Sequence, residues 1–198
     1  MAKPKIAIVI GSTRPQRFAD KPAAWIAEIA AQRSDLDFEF VDLRDYPLPF
    51  FEEAASPVFV PPQSVVAQAW AARLAQFDGF VILAAEYNHG PTAVLKNALD
   101  YAFREFNKKP VTFVGYGGVG GARAVEQLRL VAVELEMAPL RQAVHIGLEP
   151  LLGVMREGKT LWDYPYLKER AGLMLEELAW WARALKAARA ETQVREAA

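Results

Sequence analysis

A run of small, hydroxyl and basic residues, GSTRPQRF, follows directly after the first apolar segment of the chain, at positions 11–18. It brings together a glycine, the hydroxyl groups of Ser12 and Thr13, and the guanidinium groups of Arg14 and Arg17. Hydroxyl, backbone N–H and guanidinium donors at the start of a helix are the groups that bind a phosphate dianion. The run lacks the G-x-x-x-x-G-K-[ST] pattern of a P-loop. We therefore interpret it as a different kind of phosphate-binding loop, and the alternative is an N-capping turn with surface arginines.

A second polar segment, EYNHGPT, occupies positions 86–92 and is followed by LKNALD at positions 95–100. The Gly-Pro pair predicts a turn, and the segment offers many hydrogen-bond donors. The alternative is a polar turn whose following helix is capped by Thr92. A single loop histidine such as His89 is more often an ordinary surface residue than a catalyst. The polar residues within LKNALD are expected to serve as structural support and solvated surface: Lys96, Asn97 and Asp100.

A third segment, GYGGVGG at positions 115–121, is rich in glycine. Gly115, Gly117 and Gly120 match the G-x-G-x-x-G pattern of dinucleotide-binding folds. That pattern belongs at the first βα turn of its unit, whereas only one strand-like segment follows here. We therefore prefer another use of these glycines, the close approach of a backbone with free N–H groups to a flat ligand.

Five short apolar segments separated by helical stretches predict βαβ units and a parallel sheet. They lie at positions 5–10, 37–41, 79–85, 111–115 and 140–146. The first, third and fourth are almost wholly apolar, which predicts central strands, whereas the second and fifth contain polar residues typical of edges. Right-handed crossovers then favour the strand order 2-1-3-4-5, a flavodoxin-like three-layer α/β sandwich. Ligands of such sheets bind at the carboxyl ends of the strands, where the three polar segments lie.

The 198-residue chain is expected to form a single domain over residues 1–190, with a frayed tail at residues 191–198. Two stretches are predicted to be irregular, residues 43–62 and 147–165. Both contain aromatic residues, which suit a subunit interface or a wall of a substrate site. The alternative is a loop packed on its own domain.

Composition excludes several classes of function. With 53% hydrophobic residues and a net charge of −1, neither a disordered chain nor a basic nucleic-acid-binding protein is expected. The absence of cysteine excludes disulfides, iron–sulfur clusters and thiol nucleophiles, and two histidines exclude a His-rich metal site. No apolar run approaches the roughly 20 residues of a membrane span, and residues 1–10 do not suit a signal peptide. We expect a cytoplasmic protein that contacts neither membranes nor nucleic acids and holds no metal.

The three polar segments, in this order and spacing, resemble the NADPH-dependent FMN reductase family, which includes flavodoxin-like quinone, azo-dye and chromate reductases. The resemblance covers about residues 4–146. The chain departs from the family pattern at Ala85, where a proline is usual, and at Arg17 and Ala19, where serine and asparagine are common.

The resemblance implies an FMN site made of three groups of residues. Those expected around the phosphate are Ser12, Arg14, Arg17 and Phe18. Those expected along the isoalloxazine edge are Glu86, Tyr87 and Asn88. Those expected to close the pyrimidine side are Tyr116, Gly117 and Gly118, with His89 at the mouth.

The resemblance also implies a ping-pong oxidoreductase that moves hydride from NADPH or NADH to FMN. The electron acceptor would be a quinone, an azo compound, free flavin or a metal oxyanion, and no protein acid or base would be essential. A homodimer or homotetramer is implied, with the partner chain completing the pocket. Two alternatives are a flavodoxin-type electron carrier without NAD(P)H turnover and a phosphate-binding protein without flavin. Such carriers tend to be strongly acidic, which the near-neutral charge of this chain argues against.

Overall fold

The computed structural model describes residues 2–196, which fold around one parallel sheet. Its strands are β1 (Lys5–Ile10), β2 (Asp37–Asp42), β3 (Gly79–Ala85), β4 (Pro110–Tyr116), β5 (Ala138–Pro139) and β6 (Val144–Ile146). They are ordered β2-β1-β3-β4-β5. Strand β5 pairs with the start of β4, and β6 pairs with the end of β4. This confirms the predicted strand order.

Three strands carry the core of the sheet. Every residue of β3 and β4 is buried, and β1 is buried except for Lys5, whereas in β2 only Val41 is buried and the other residues are half-buried or exposed. Their registers align the carboxyl ends, because Ile10 lies beside Leu83 and Ala85 lies beside Tyr116. The loops that follow β1, β3 and β4 therefore leave the same edge of the sheet at one level.

The fifth position in the sheet is divided between two short strands, where the sequence predicted one. Between them, the guanidinium of Arg129 donates to the carbonyl oxygens of Leu140 and Arg141. The hydroxyl of Thr112 donates to the Gln142 carbonyl oxygen at 2.6 Å. Leu140 still donates its N–H to the Val111 carbonyl at 2.9 Å, but the carbonyl oxygens of residues 140–142 accept side-chain donors, and the strand is interrupted there.

Helices cover both faces of the sheet: α1 (Asp20–Ala30), α2 (Val65–Ala75), α3 (Ala93–Asp100), α4 (Ala122–Glu134), α5 (Leu148–Arg156) and α6 (Pro165–Glu196). One buried cluster joins the sheet to α1 and α6, and a second joins it to α2, α3 and α4. Helix α6 continues to Glu196, and the final two residues of the expected tail lie outside the described part of the chain. Among residues 2–196, no helix has the length and apolar character needed to cross a bilayer.

The long stretch after β2 is irregular, apart from a short 3-10 turn at Leu43–Asp45. The amide of Asn97 holds it from α3, donating to the Pro49 carbonyl at 2.6 Å and accepting the Phe51 N–H at 2.9 Å. Residues 147–165 were expected to be irregular, and this expectation is wrong because they contain α5. Gly153 allows α5 to pack there, since a Cβ at that position would lie 2.0 Å from the Tyr164 hydroxyl oxygen.

Candidate functional site

The loop after β1 is fixed at its first residue and open beyond it. Gly11 donates its N–H to the Leu83 carbonyl at 3.2 Å, and its own carbonyl accepts the Thr92 hydroxyl at 2.6 Å. A Cβ at Gly11 would lie 2.6 Å from the Leu83 oxygen, so the close contact requires glycine. Among the described residues, no acceptor takes the N–H groups of positions 12–14. These three donors are available to an anion.

Arg14 and Tyr87 border this open loop. Arg14 is exposed and its guanidinium lies 5.7 Å from the centroid of the Tyr87 ring. The hydroxyl of Ser12, whose residue is 1% exposed, lies 3.4 Å from the Tyr87 hydroxyl. The structure thus brings together one free guanidinium, two hydroxyls and the open N–H groups.

Arg17 lies beneath the loop instead of on its open side. Its side chain is 4% exposed, and its guanidinium forms a two-pronged ion pair with Asp42 and a 2.7 Å contact with Asp20. It also donates to the Ser12 carbonyl at 2.6 Å. Hydrogen bonding to Asp42 is the main cause that raises the pKa of Arg17. Arg17, at the position where the family often has a second serine, therefore stabilises the loop from its buried side.

The loop after β3 is a tight turn with two residues in the left-handed region. Tyr87 and Gly90 exchange backbone hydrogen bonds of 2.9 and 3.1 Å, and φ is 48° at Asn88 and 74° at His89. Positive φ at both central residues is the type I′ pattern. Within residues 2–196 the N–H groups of Asn88 and His89 have no acceptor. Both side chains are exposed at the edge of the sheet.

Glu86 connects this turn to helix α4. One of its carboxylate oxygens lies 2.7 Å from Nε of Arg123, and the other accepts the Arg123 backbone N–H at 3.1 Å. Its own N–H donates to the Tyr116 carbonyl at 3.0 Å. Both its carboxylate and its N–H are therefore committed to the scaffold, and the free N–H groups of this loop belong to the two residues of the turn.

The glycine turn after β4 provides a further pair of free donors. Gly117, Gly120 and Gly121 have φ of 152°, 71° and 69°, which L-residues rarely adopt. A Cβ added at Gly118 would meet nothing within 4 Å, so this residue faces open space. In the described chain the N–H groups of Gly118 and Val119 have no acceptor.

Tyr116 lies below this turn with an unsatisfied hydroxyl. The residue is 6% exposed, and its ring centroid lies 5.3 Å from that of Phe18. Its hydroxyl has no hydrogen-bond partner among the described residues. Burial, followed by the nearby Tyr87, raises the pKa of this phenol, so the hydroxyl is a neutral donor at physiological pH. A buried hydroxyl without a partner beside an open anion loop is the arrangement that a polar ligand completes.

Comparison with known proteins identifies the family of the chain. The family model described as NADPH-dependent FMN reductase matches residues 4–149. The chain belongs to this family. An NAD(P)H-dependent FMN reductase of Schizosaccharomyces pombe is 38% identical over 146 residues, which cover 71% of this chain and 72% of the relative. A 2-hydroxy-1,4-benzoquinone reductase of a Burkholderia species is 36% identical over 145 residues, which cover 70% of this chain and 75% of the relative.

Solved structures confirm the fold. FerB, a flavoenzyme NAD(P)H:(acceptor) oxidoreductase of Paracoccus denitrificans, superposes with a TM-score of 0.68 at 19% identity and covers 91% of this chain and 98% of its own. The expected membership of an oxidoreductase family that uses FMN and NAD(P)H is confirmed.

The residues of this FMN reductase family member fit the cofactor. The open N–H groups and Arg14 suit the phosphate, and the unpaired Tyr116 hydroxyl offers a donor next to them. The absence of atoms around Gly118 leaves room for a flat ring. A cavity of about 340 Å³ opens beside the loop after β1 and is lined in part by Thr13, Arg44 and Asn97.

Sequence reasoning missed two residues that shape this site and one of the two roles of a third, Thr92. Asp42 and Arg123 hold Arg17 and Glu86 by contacts across 25 and 37 residues of chain. No short motif contains such pairs. Thr92 was assigned the capping role that it has, since it accepts the Leu95 N–H at 3.2 Å. Its bond to Gly11 across 81 residues was not foreseen.

Proposed function

We propose that this chain is a cytoplasmic, FMN-dependent NAD(P)H oxidoreductase that passes hydride equivalents to a small-molecule acceptor. The observation that carries the proposal is the convergence of unpaired backbone N–H groups from three loops at one edge of the sheet. The quinone named for the Burkholderia relative supports a quinone as acceptor. An azo compound, free flavin or a metal oxyanion would be reduced at the same open face.

In this proposal the phosphate is held by the N–H groups of residues 12–14, the Ser12 hydroxyl and the guanidinium of Arg14. The exposed position of Arg14 and the free N–H groups support this assignment. Arg17 and Phe18 act from below, since Arg17 is ion-paired and Phe18 packs against Tyr116. The Tyr116 hydroxyl donates to the cofactor from the side of β4.

Bound FMN supplies hydride acceptance and donation. The chain binds and orients the ring through the N–H groups of Asn88, His89 and Gly118, which are fixed by the type I′ turn and the glycine turn. Prearranged N–H dipoles stabilise negative charge at the polar edge of the ring without moving. The exposed Tyr87 borders the ring, and Gly117 lets the backbone pass close to Glu86. No side chain is required as a proton donor, and His89 lies at the mouth.

We also propose a homodimer or homotetramer in which the partner chain completes the pocket. The irregular stretch after β2 supports this, because Phe50 is 81% exposed and Phe59 is 77% exposed. Large aromatic rings exposed on one loop beside a cavity are typical of an interface. Replacing both with serine is expected to lower the mass measured by analytical ultracentrifugation. An unchanged mass would contradict this assignment of the interface.

Steady-state kinetics test the enzymatic proposal. Initial rates with NADPH and with NADH, measured against 1,4-benzoquinone at several concentrations, are expected to give parallel double-reciprocal lines, as ping-pong turnover requires. Intersecting lines would contradict alternating use of one pocket. Tight FMN binding without turnover of either nucleotide would favour the electron-carrier alternative. The Lys168→Met variant, which changes an exposed position on α6, is expected to keep the wild-type rate.

A further inference from the structure

A second cavity lies at the amino ends of the strands, opposite the FMN site. Its volume is about 500 Å³, and it borders the residues that immediately precede β3 and β4. Its charged lining residues are Asp78, Arg104, Glu105, Lys109, Lys186 and Arg189. Four of these are cationic and two are anionic, so the lining has an excess of positive charge.

The carboxylate of Asp78 is already occupied. It accepts Lys186 Nζ at 2.7 Å, Arg189 Nη2 at 2.7 Å and the Lys5 backbone N–H at 3.0 Å. Glu105 accepts a backbone N–H from Phe103 at 3.2 Å. Neither carboxylate lies within ion-pair distance of Lys109 among the described side chains.

Lys109 is a buried cation with no carboxylate within 4.0 Å among the described residues, although Asp78 and Glu105 line the same cavity. The residue is 7% exposed, and its ammonium has one long contact of 3.4 Å to the Leu74 carbonyl. It also lies 5.8 Å from the centroid of the Phe80 ring, which is a weaker compensation than a carboxylate. Burying a charge without a partner is unfavourable in proteins generally. Burial, and then the charge of Arg189, lower the pKa of Lys109 to about 8, so it remains mostly protonated at pH 7.

We propose that this cavity is a binding site for a small oxyanion of the phosphate class, with Lys109 at its base and Arg104 at its rim. An anion would provide the counter-charge that Lys109 lacks and would balance the excess of cations. Arg104 has no carboxylate within 4.0 Å in the described chain, so its guanidinium is free to bind an anion. Ala75, Phe77 and Ala190 also line the cavity, and its volume of about 500 Å³ leaves room for a group attached to the phosphate.

The test measures the thermal stability of the FMN-saturated protein in phosphate and in chloride at equal ionic strength. FMN in excess keeps phosphate away from the loop after β1. We expect phosphate at ten times its Kd to raise Tm by about 3–6 °C over chloride. The Lys109→Met variant keeps the side-chain length and removes the charge. It is expected to match or exceed the wild-type Tm in chloride and to show no phosphate shift.

The Lys168→Met variant is the control and is expected to keep the full phosphate shift. A shift of the same size in Lys109→Met, or no shift in the wild type, would overturn the proposal. Calorimetric titration of the FMN-saturated protein with inorganic phosphate, AMP and adenosine then identifies the source of the anion. Tighter binding of AMP than of phosphate assigns a phosphorylated metabolite, and equal binding assigns the free ion. Binding of adenosine as tight as that of AMP would contradict recognition of an anion.

Discussion

Removing the charge of Asp42 tests whether Arg17 supports the phosphate loop from below. The Asp42→Asn substitution keeps the shape of the side chain but leaves the guanidinium of Arg17, whose side chain is 4% exposed, without its main partner. Asp20 remains, but its side chain is 52% exposed and forms a single contact. The loop should therefore lose stability rather than gain a free arginine for the ligand.

The expected magnitude follows from the burial of the pair. Breaking a fully buried ion pair costs about 3–5 kcal/mol. The side chain of Asp42 is 23% exposed and Asp20 remains in contact, so we expect a loss of about 2–3 kcal/mol here. The double substitution Asp42→Asn with Arg17→Met removes both charges, and it should be less destabilising than the sum of the single changes by at least about 1 kcal/mol.

Urea unfolding monitored by circular dichroism measures these free energies. Asp37→Asn is the matched control, because Asp37 begins the same strand but its side chain is 61% exposed. Burial alone would raise the pKa of Asp42, but hydrogen bonds from Arg17 and the Arg44 N–H outweigh it and lower the pKa. Because the pKa of Asp42 is lowered, the stability that this carboxylate contributes is complete above the ordinary pKa of an aspartate and is lost as the pH falls through the lowered pKa, so acid should destabilise the wild type more than Asp42→Asn. Equal stability of Asp42→Asn and Asp37→Asn at pH 7 would refute this role of Arg17. Additive effects of Asp42→Asn and Arg17→Met in the double variant would also refute it.

Two further substitutions separate ligand binding from folding. Arg14→Ala should raise the FMN Kd about 10- to 150-fold in a fluorescence titration, because one charge-assisted contact is worth about 1.5–3 kcal/mol. Lys21→Ala should leave this Kd unchanged, and an equal effect of the two would place the phosphate elsewhere. Gly121→Ala should destabilise the fold by about 2–3 kcal/mol in urea, since φ is 69° and the Cβ would lie 2.5 Å from the Tyr116 nitrogen. Gly172→Ala, in an open helical position, should be neutral or slightly stabilising. Similar losses of unfolding free energy in both variants would contradict the inference that the turn requires glycine at position 121.

The sequence predicted the centre of the sheet well. The apolar segments at 5–10 and 79–85 coincide with β1 and β3, because strands buried on both faces leave a continuous apolar pattern. The divided fifth strand was not predictable in this way. It depends on donors from Arg129 and Thr112, which come from other elements. Helix α5 was missed because Pro150 and Gly153 resemble loop composition, although Pro150 lies in the first turn, where proline is tolerated.

The meeting of three polar loops at one edge of the sheet was predictable, but the contacts of their side chains were not. Loops after β1, β3 and β4 converge because parallel strands bring their carboxyl ends to one edge. The residue type and the family resemblance placed Arg17 among the expected phosphate ligands, whereas its contacts with Asp42 and Asp20 place it below the loop. A guanidinium serves equally as a ligand or as a buried support, and only the distant carboxylate distinguishes the two uses.

The visible absorption spectrum tests the central claim most directly. The purified protein is titrated with FMN, then treated with NADPH or NADH without oxygen, with Arg14→Ala as the weak-binding comparison. We predict a bound flavin whose absorption near 450 nm bleaches promptly with at least one nucleotide, as hydride transfer to a bound flavin requires. Protein that binds no FMN, or bound FMN that stays oxidised with both nucleotides, would contradict a flavin-dependent reductase.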